Sequence, residues 1–355
     1  MSSRFGSSSS APNGAGAIGD LSHDVILASP PEDSISDLAW SSRNNFLAVA
    51  SWDSKVRVYD VTQNLSGVGK AVISFDGPVF GCAWSKNGRQ VAGASSDKSA
   101  KLLDLGANGA PAQQVAAHDA PIRSLRFFEL PSSGSPMLAT GSWDKTIKYW
   151  DLRQSAPAAV LHCPDRVYSM DIKKDILVVA TAELHINIVK LNEPTRFLSA
   201  GKSPLAHQTR VVSCFNDASG YAVGSTEGRC AFQYIETKSA RGGGNFSFKC
   251  HRGARDINGK MDIFTINAIS VHPIYGLTTA GSDGTFNFWD KDKRQRLKGY
   301  PSVGGPISAT AFNHSGKIFA YAVSYDWSKG YAFNTPGHVN KVMLHRTIDE
   351  ECKPK

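Results

Sequence analysis

The residues best able to do chemistry are basic and aromatic, and they are concentrated. Between residues 238 and 260 stand Lys238, Arg241, Lys249, Arg252, Arg255 and Lys260 against one acid, Asp256. Between 290 and 298 stand Lys291, Lys293, Arg294, Arg296 and Lys298 against Asp290 and Asp292. These two segments account for the whole formal net charge of +8, so the rest of the chain is balanced. Phe246, Phe248 and Trp289 lie among the cations. Basic groups beside rings suit single-stranded nucleic acid, whose bases stack while its phosphates pair. They equally suit an acidic peptide with an apolar anchor. The alternative is structural: Trp289 packs inside its repeat and the charges are merely solvated. Segregation of the charges favours a functional basic surface, with both segments on one face.

Other chemistry finds little support. No GxSxG, GxxxxGK[ST] or HExxH pattern occurs, and Gly242-Gly243-Gly244 lacks the strand–helix context of a phosphate loop. The expectation is a non-enzymatic protein without a cofactor. Cys82, Cys163, Cys214, Cys230, Cys250 and Cys352 form no CxxC pair, so neither a zinc site nor a disulfide framework is expected. Cys250-His251 lacks companions at ligand spacing and reads as ordinary core or loop. Reduced thiols in the nucleus or cytosol are expected. The longest apolar runs, such as Ile318 to Val323, are strand-sized, so no membrane insertion is expected.

The elements that must position these residues are repeats. Leu47 to Asp60 (LAVASWDSKVRVYD) and Leu138 to Asp151 (LATGSWDKTIKYWD) share one pattern: strand, tight turn, strand, aromatic-Asp ending. The turn acid recurs at Asp53, Asp97, Asp144, Glu183, Glu227, Asp283 and Asp326, at intervals of 44, 47, 39, 44, 56 and 43 residues. Seven units of this length with four short strands each specify an all-β, seven-bladed WD-repeat β-propeller. An acid recurring once per repeat is a turn-builder accepting local N–H groups. His118 and His207 open repeats and read as structural. Repeats four and five are degenerate, with Lys190-Leu191 and Tyr234-Ile235 where Trp-Asp would stand. The long fifth interval implies extra residues between blades five and six. Two segments compete to close the ring, His23 to Ala28 and His338 to His345. The expected organisation is a disordered Ser/Gly/Ala-rich tail over 1–22, the propeller over 23–346 and a C-terminal tail over 347–355.

Several stretches go beyond the generic repeat: Phe246 to Arg252 (FSFKCHR), Gly281 to Asp292 (GSDGTFNFWDKD), Phe312 to Ala322 (FNHSGKIFAYA), Ser324 to Gly330 (SYDWSKG) and Ser29 to Ser36 (SPPEDSIS). Through them nearly the whole chain after the tail resembles the nuclear-pore mRNA export factor family of WD-repeat proteins. The resemblance implies an adaptor in mRNA export, docked at the nuclear pore by binding the acidic GLEBS hairpin of an FG nucleoporin. It implies contact with RNA, direct or relayed, a nuclear and nuclear-envelope location with shuttling to the cytoplasm, and, in some members, a mitotic spindle and checkpoint role. Vesiculovirus matrix proteins capture the same basic groove in that family. By motif position, Phe248, Trp289, Lys291, Arg294 and Arg296 match the groove, and Arg229 matches an arginine facing the hairpin's acids. Lys249, Arg252 and Lys293 are further basic contacts. The chain departs from the family in having Lys293 and Arg296 in the loop, and a basic, Gly-rich insert over 239–245. A reading from another class is a substrate receptor of a cullin-type ubiquitin ligase, resting on the short WDxR pattern Trp150-Asp151-Leu152-Arg153.

Overall fold

Alternating and continuous apolar runs of six to eight residues, separated by tight turns, can bury their faces only by stacking sheet on sheet. The computed structural model, which describes residues 18–107, 109–236, 244–335 and 337–353, does this radially. Seven four-stranded antiparallel sheets surround a central channel. Blade one is Ile35–Trp40, Phe46–Ser51, Lys55–Val61 and Gly67–Ser74, ordered from the axis outwards. Blades two to six repeat this order, with inner strands Val79–Trp84, Ile122–Glu129, Val167–Lys173, Thr209–Cys214 and Ile266–Val271. Most of the expected tail (1–17), Lys238, Arg241 and most of the Gly-rich insert lie outside the described residues.

Both competing segments are used in closing the ring. In blade seven, Lys341–Arg346 forms the third strand and Val25–Ile26 the outermost one, beyond Ile307–Phe312 and Ile318–Val323. An early strand therefore completes the sheet of the last blade, and the ring closes with only short outer edges. The expected C-terminal tail is packed over 347–353: Thr347 donates to the Gly316 carbonyl, and Glu351 and Cys352 are buried. Gly19, in the expected N-terminal tail, donates to the Gly299 carbonyl of blade six.

The second strand of each blade is covered on both faces and is built from small and branched residues, as in Ala48-Val49-Ala50 and Ala92-Gly93-Ala94. Neighbouring sheets press close there. A Cβ at Gly93 would stand 2.7 Å from Val56 and 2.9 Å from the Phe75 ring. The cores lie between blades, as in the cluster of Tyr149, Leu161, Met170, Leu177, Val179 and Val189 between blades three and four. Burying each such side chain contributes about 1.5–3 kcal/mol.

The turn acids divide by length. Asp97, Asp144, Asp283 and Asp326 each accept the N–H two residues on, at 2.9, 2.9, 3.0 and 3.1 Å. Asp53 instead ties down the entering loop through the Glu32 N–H at 3.0 Å. Glu183 and Glu227 make no such bond among the described residues. The extra methylene carries their carboxylates past the turn. In blade four the turn keeps the length of its counterparts, with Ala180 paired to Ile186 as Gly141 is to Ile147, but Glu183 and Leu184 both take left-handed φ (59° and 63°). No described helix is long and apolar enough to cross a membrane.

Candidate functional site at the seam of blades five and six

The 56-residue interval resolves into a surface hairpin, Arg252–Arg255 with Met261–Ile263, between blades five and six. It lengthens the path from blade five to the turn acid of blade six. His251, just before it, is buried and joined to blade six. Its Nδ1 lies 2.9 Å from Asp283 Oδ1, its Nε2 lies 2.9 Å from Thr279 Oγ1, and that oxygen also accepts Trp289 Nε1 at 2.9 Å. Indole N–H can only donate and an ionised carboxylate can only accept, so with a neutral imidazole the chain of bonds has one direction. Trp289 donates to Thr279, the threonine hydroxyl donates to His251 Nε2, and His251 Nδ1–H donates to Asp283. Blade three has the same network: Trp150 to Thr140 at 2.8 Å, Thr140 to His118 at 2.7 Å, and His118 to Asp144 at 2.7 Å. Burial holds the His118 pKa below its ordinary value against the pull of Asp144, as a neutral imidazole requires.

Two expectations change here. His207 is exposed, with no hydrogen bond among the described residues, and is not a counterpart of His118. His251 is that counterpart. The inserted hairpin stretches its spacing to the turn acid to 32 residues, against 26 in blade three. Cys250 is core, packed with Phe232, Phe248 and Trp289. All six cysteines are free and buried.

The sequence-selected residues fall into two groups rather than one face. At one end of the seam, Arg229 stands directly across the sheet from Lys249. Like charges so placed are destabilising. Glu227 gives Arg229 partial relief at 3.6 Å, with Arg229 30 % exposed. Lys249 is exposed, and Arg252 donates to the Glu227 carbonyl at 2.8 Å. Gly228 makes the corner. Its φ is +61°, and a Cβ would lie 2.8 Å from the His251 carbonyl oxygen, so only glycine lets the backbones meet here.

The other group lies at the far end of the six-residue strand Arg229–Tyr234, about 17–20 Å away. It is built on the loop after Phe286–Asp290. Arg294, at φ 57°, turns back across the seam, puts its guanidinium 4.4 Å from the Phe246 ring centre and donates to the Gly244 carbonyl at 2.9 Å. Lys291 lies 5.4 Å from the Phe215 ring and 2.8 Å from Asp292. Lys293 and Arg296 are exposed, and the Lys293 N–H donates to Asp290 at 3.0 Å. Among the described residues, Arg294 and Arg296 have no carboxylate partner.

Phe248 and Trp289 connect the groups but are not open platforms. They are 8 % and 6 % exposed, with ring centres 4.5 Å apart. They form the floor under the half-buried Phe246, and the blade-six network fixes Trp289 from behind. Phe215 was not singled out from the sequence. It belongs to a different repeat strand, and only the stacking of blades brings it beneath Lys291. Arg153 of the WDxR pattern is held in a fork by Asp151, at 2.8 and 2.6 Å.

The family model "WD domain, G-beta repeat" matches residues 25–60, 69–104 and 109–151, all within the first three repeats. Over nearly the full length the chain is similar to mRNA export factor GLE2 of Chaetomium thermophilum, 53% identical and covering 100% of this chain and 98% of that protein. It is 54% identical to the Poly(A)+ RNA export protein of Schizosaccharomyces pombe, covering 96% and 95%. It is 42% identical to Protein Rae1 of Drosophila melanogaster, covering 94% and 96%. Similarity of this extent shows that the chain belongs to the mRNA export factor family of WD-repeat proteins.

Proposed function

We propose that this protein is a non-enzymatic adaptor in mRNA export, which docks at the nuclear pore through the acidic GLEBS hairpin of an FG nucleoporin and offers a basic groove to single-stranded RNA or an RNA-associated acidic partner. The observation that carries the reading is the uncompensated positive charge at both ends of the blade five–six seam. Arg229 opposite Lys249 weakens the isolated sheet, and an acidic strand laid beside them would turn that repulsion into attraction. Arg294 and Lys291, stacked on phenylalanine rings, are held in place ahead of binding and lose little side-chain freedom on contact. The buried floor favours phosphate and carboxylate contacts over base stacking, so the RNA affinity of this groove is mainly electrostatic. A nuclear-pore location and traffic between nucleus and cytoplasm follow from that role.

Calorimetric titration with a synthetic hairpin peptide tests the docking half. Arg229→Glu weakens binding at least about tenfold, the loss of one charge-assisted contact; unchanged affinity removes the assignment. For the groove, binding of a single-stranded oligoribonucleotide falls steeply with salt and with Arg294→Glu plus Arg296→Glu. Salt-independent binding would exclude a phosphate-tracking groove.

A further inference from the structure

The axial channel has features that the seam does not use. Every inner strand carries a β-bulge at its second residue. The residue freed by the bulge lines a cavity of about 610 Å³ on the axis. In blades two to seven these residues are Phe80, Arg123, Tyr168, Arg210, Asn267 and Ser308. The ring they form has two guanidinium groups and no carboxylate.

Neither arginine has a direct ion-pair partner among the described residues; Asp37, whose oxygens accept the Leu38 and Cys82 N–H groups, attracts Arg123 without touching it. Arg123 donates to the Phe80 carbonyl at 3.1 Å and has no ion-pair partner among the described residues. Arg210 has neither a hydrogen bond nor an ion pair among them. Burial, and after it the charge of Arg210, pushes the Arg123 pKa down to about 10. Asp326, which attracts Arg210, has its oxygens engaged by Asn267 at 2.9 Å, the Ser328 N–H at 3.1 Å and the Ser282 hydroxyl. Deeper in the channel, Arg126 is already paired with Asp171 at 3.0 Å.

Around the same mouth runs an arc of rings. Trp52 and Trp143 take that position because their backbone N–H groups donate to the carbonyls of Ser34 and Pro121, the residues just before inner strands. Trp327 stacks on Trp52 at 4.0 Å, Trp52 meets Phe80 edge-on at 5.4 Å, and Phe80 lies 5.6 Å from Trp143. The buried indole nitrogens of Trp143 and Trp327 and the hydroxyl of Ser308 have no hydrogen-bond partner. Donors without acceptors, set beside two unpaired cations, call for a compact oxyanion with several oxygens. The arc calls for a flat ring attached to it.

We infer that the mouth of the axial channel binds a small phosphate ester bearing an aromatic ring, the chemistry of a mononucleotide, with Arg123 and Arg210 on the phosphoryl oxygens and the ring against the Trp52–Phe80–Trp143 arc. A guanidinium fork matches phosphoryl geometry in two bonds, where an ammonium would act as a point charge. The site is separate from the seam of blades five and six, and either assignment can fail alone.

Calorimetry with the full chain and three probes, adenosine 5′-monophosphate, adenosine and ribose 5-phosphate, tests this. The monophosphate binds best, at least about tenfold tighter than either fragment. Arg210→Gln brings its affinity down to that of adenosine, Trp143→Leu brings it towards that of ribose 5-phosphate, and Arg196→Gln, an exposed arginine on blade four, changes nothing. Because Arg210 has no partner to lose, its replacement leaves the thermal midpoint at or above that of the parent, which separates lost binding from lost folding. Equal binding of adenosine and its monophosphate by the parent protein, or undiminished monophosphate binding by Arg210→Gln, overturns the proposal.

Discussion

Blades four and six solve the same packing problem with opposite chemistry. In blade six the site between sheets is polar: Trp289, Thr279, His251 and Asp283 pass hydrogen bonds in one direction. The matching register positions of blade four are Val189 and Val179, with Cys163 at the entrance, in a cluster with Leu177 and Tyr149. Both blades are fully buried there, so neither solution is needed for a propeller blade as such. The difference is in what is fixed. Hydrocarbon packing tolerates small rotations, whereas three bonds of 2.9 Å hold one indole in one orientation. Blade three carries the same network away from the seam, so the network belongs to the regular repeat, and in blade six it also fixes the orientation of Trp289 beside Phe248.

The widest separation between the two blades comes from Thr279→Val. It keeps the volume but leaves the Trp289 N–H and His251 Nε2 buried without partners, at a cost of about 4 kcal/mol. Urea denaturation reads this directly, and adding Trp289→Phe recovers part of the loss in a double-mutant cycle. A cost below about 1 kcal/mol would mean that the network does not act as a unit.

A second polar seam, in blade seven, sharpens the comparison because it is charged. His345 Nδ1 lies 2.6 Å from Asp24 and Nε2 lies 3.3 Å from Glu351, which also pairs with Lys298 at 3.4 Å. Burial opposes the imidazolium, but hydrogen bonds to Asp24 and Glu351 outweigh it and the pKa is pushed up to about 9. A raised pKa means that the folded state holds its proton more tightly than the unfolded one. The contribution is complete below the ordinary histidine value and is lost as pH rises through about 9, a loss of about 3 kcal/mol. Unfolding free energy measured between about pH 6 and pH 10 falls in the parent and changes much less in His345→Gln. Identical pH profiles would show that the closing strand is not held by this charge.

The smallest expected effect is the converse substitution in blade four. Val179→Thr places a hydroxyl where no histidine or indole meets it and only the buried Asn187 stands across the sheet, and costs about 1 kcal/mol. Thermal unfolding checks it. A stabilised protein would mean that blade four can accept the polar design after all.

The amount of this legible beforehand depended on whether the cause was local. Repeat number, strand alternation and the turn acids are short-range, and four of the five aspartate turns form as their spacing implies. Closure was legible only as two rival segments, because pairing Val25–Ile26 with Lys341–Arg346 joins the two ends of the chain. His207 was taken for the structural histidine, and the role of His251 in blade six was not seen, because the inserted hairpin separates His251 from that blade and no local pattern marks a histidine whose partner lies 32 residues on. The basic residues were found, but their division into two groups was not, since antiparallel strands carry neighbours in sequence to opposite ends of a blade.

By itself, then, the sequence determined the seven-fold all-β architecture, the placing of excess charge on blades five and six, and membership of a family. Each rests on composition or on patterns shorter than one repeat. Tertiary structure alone decided which rings are floor and which are surface, which histidine completes blade six, and that seven bulges direct two unpaired arginines into one channel. Those outcomes depend on contacts between residues far apart in sequence, and such contacts exist only once the sheets have stacked.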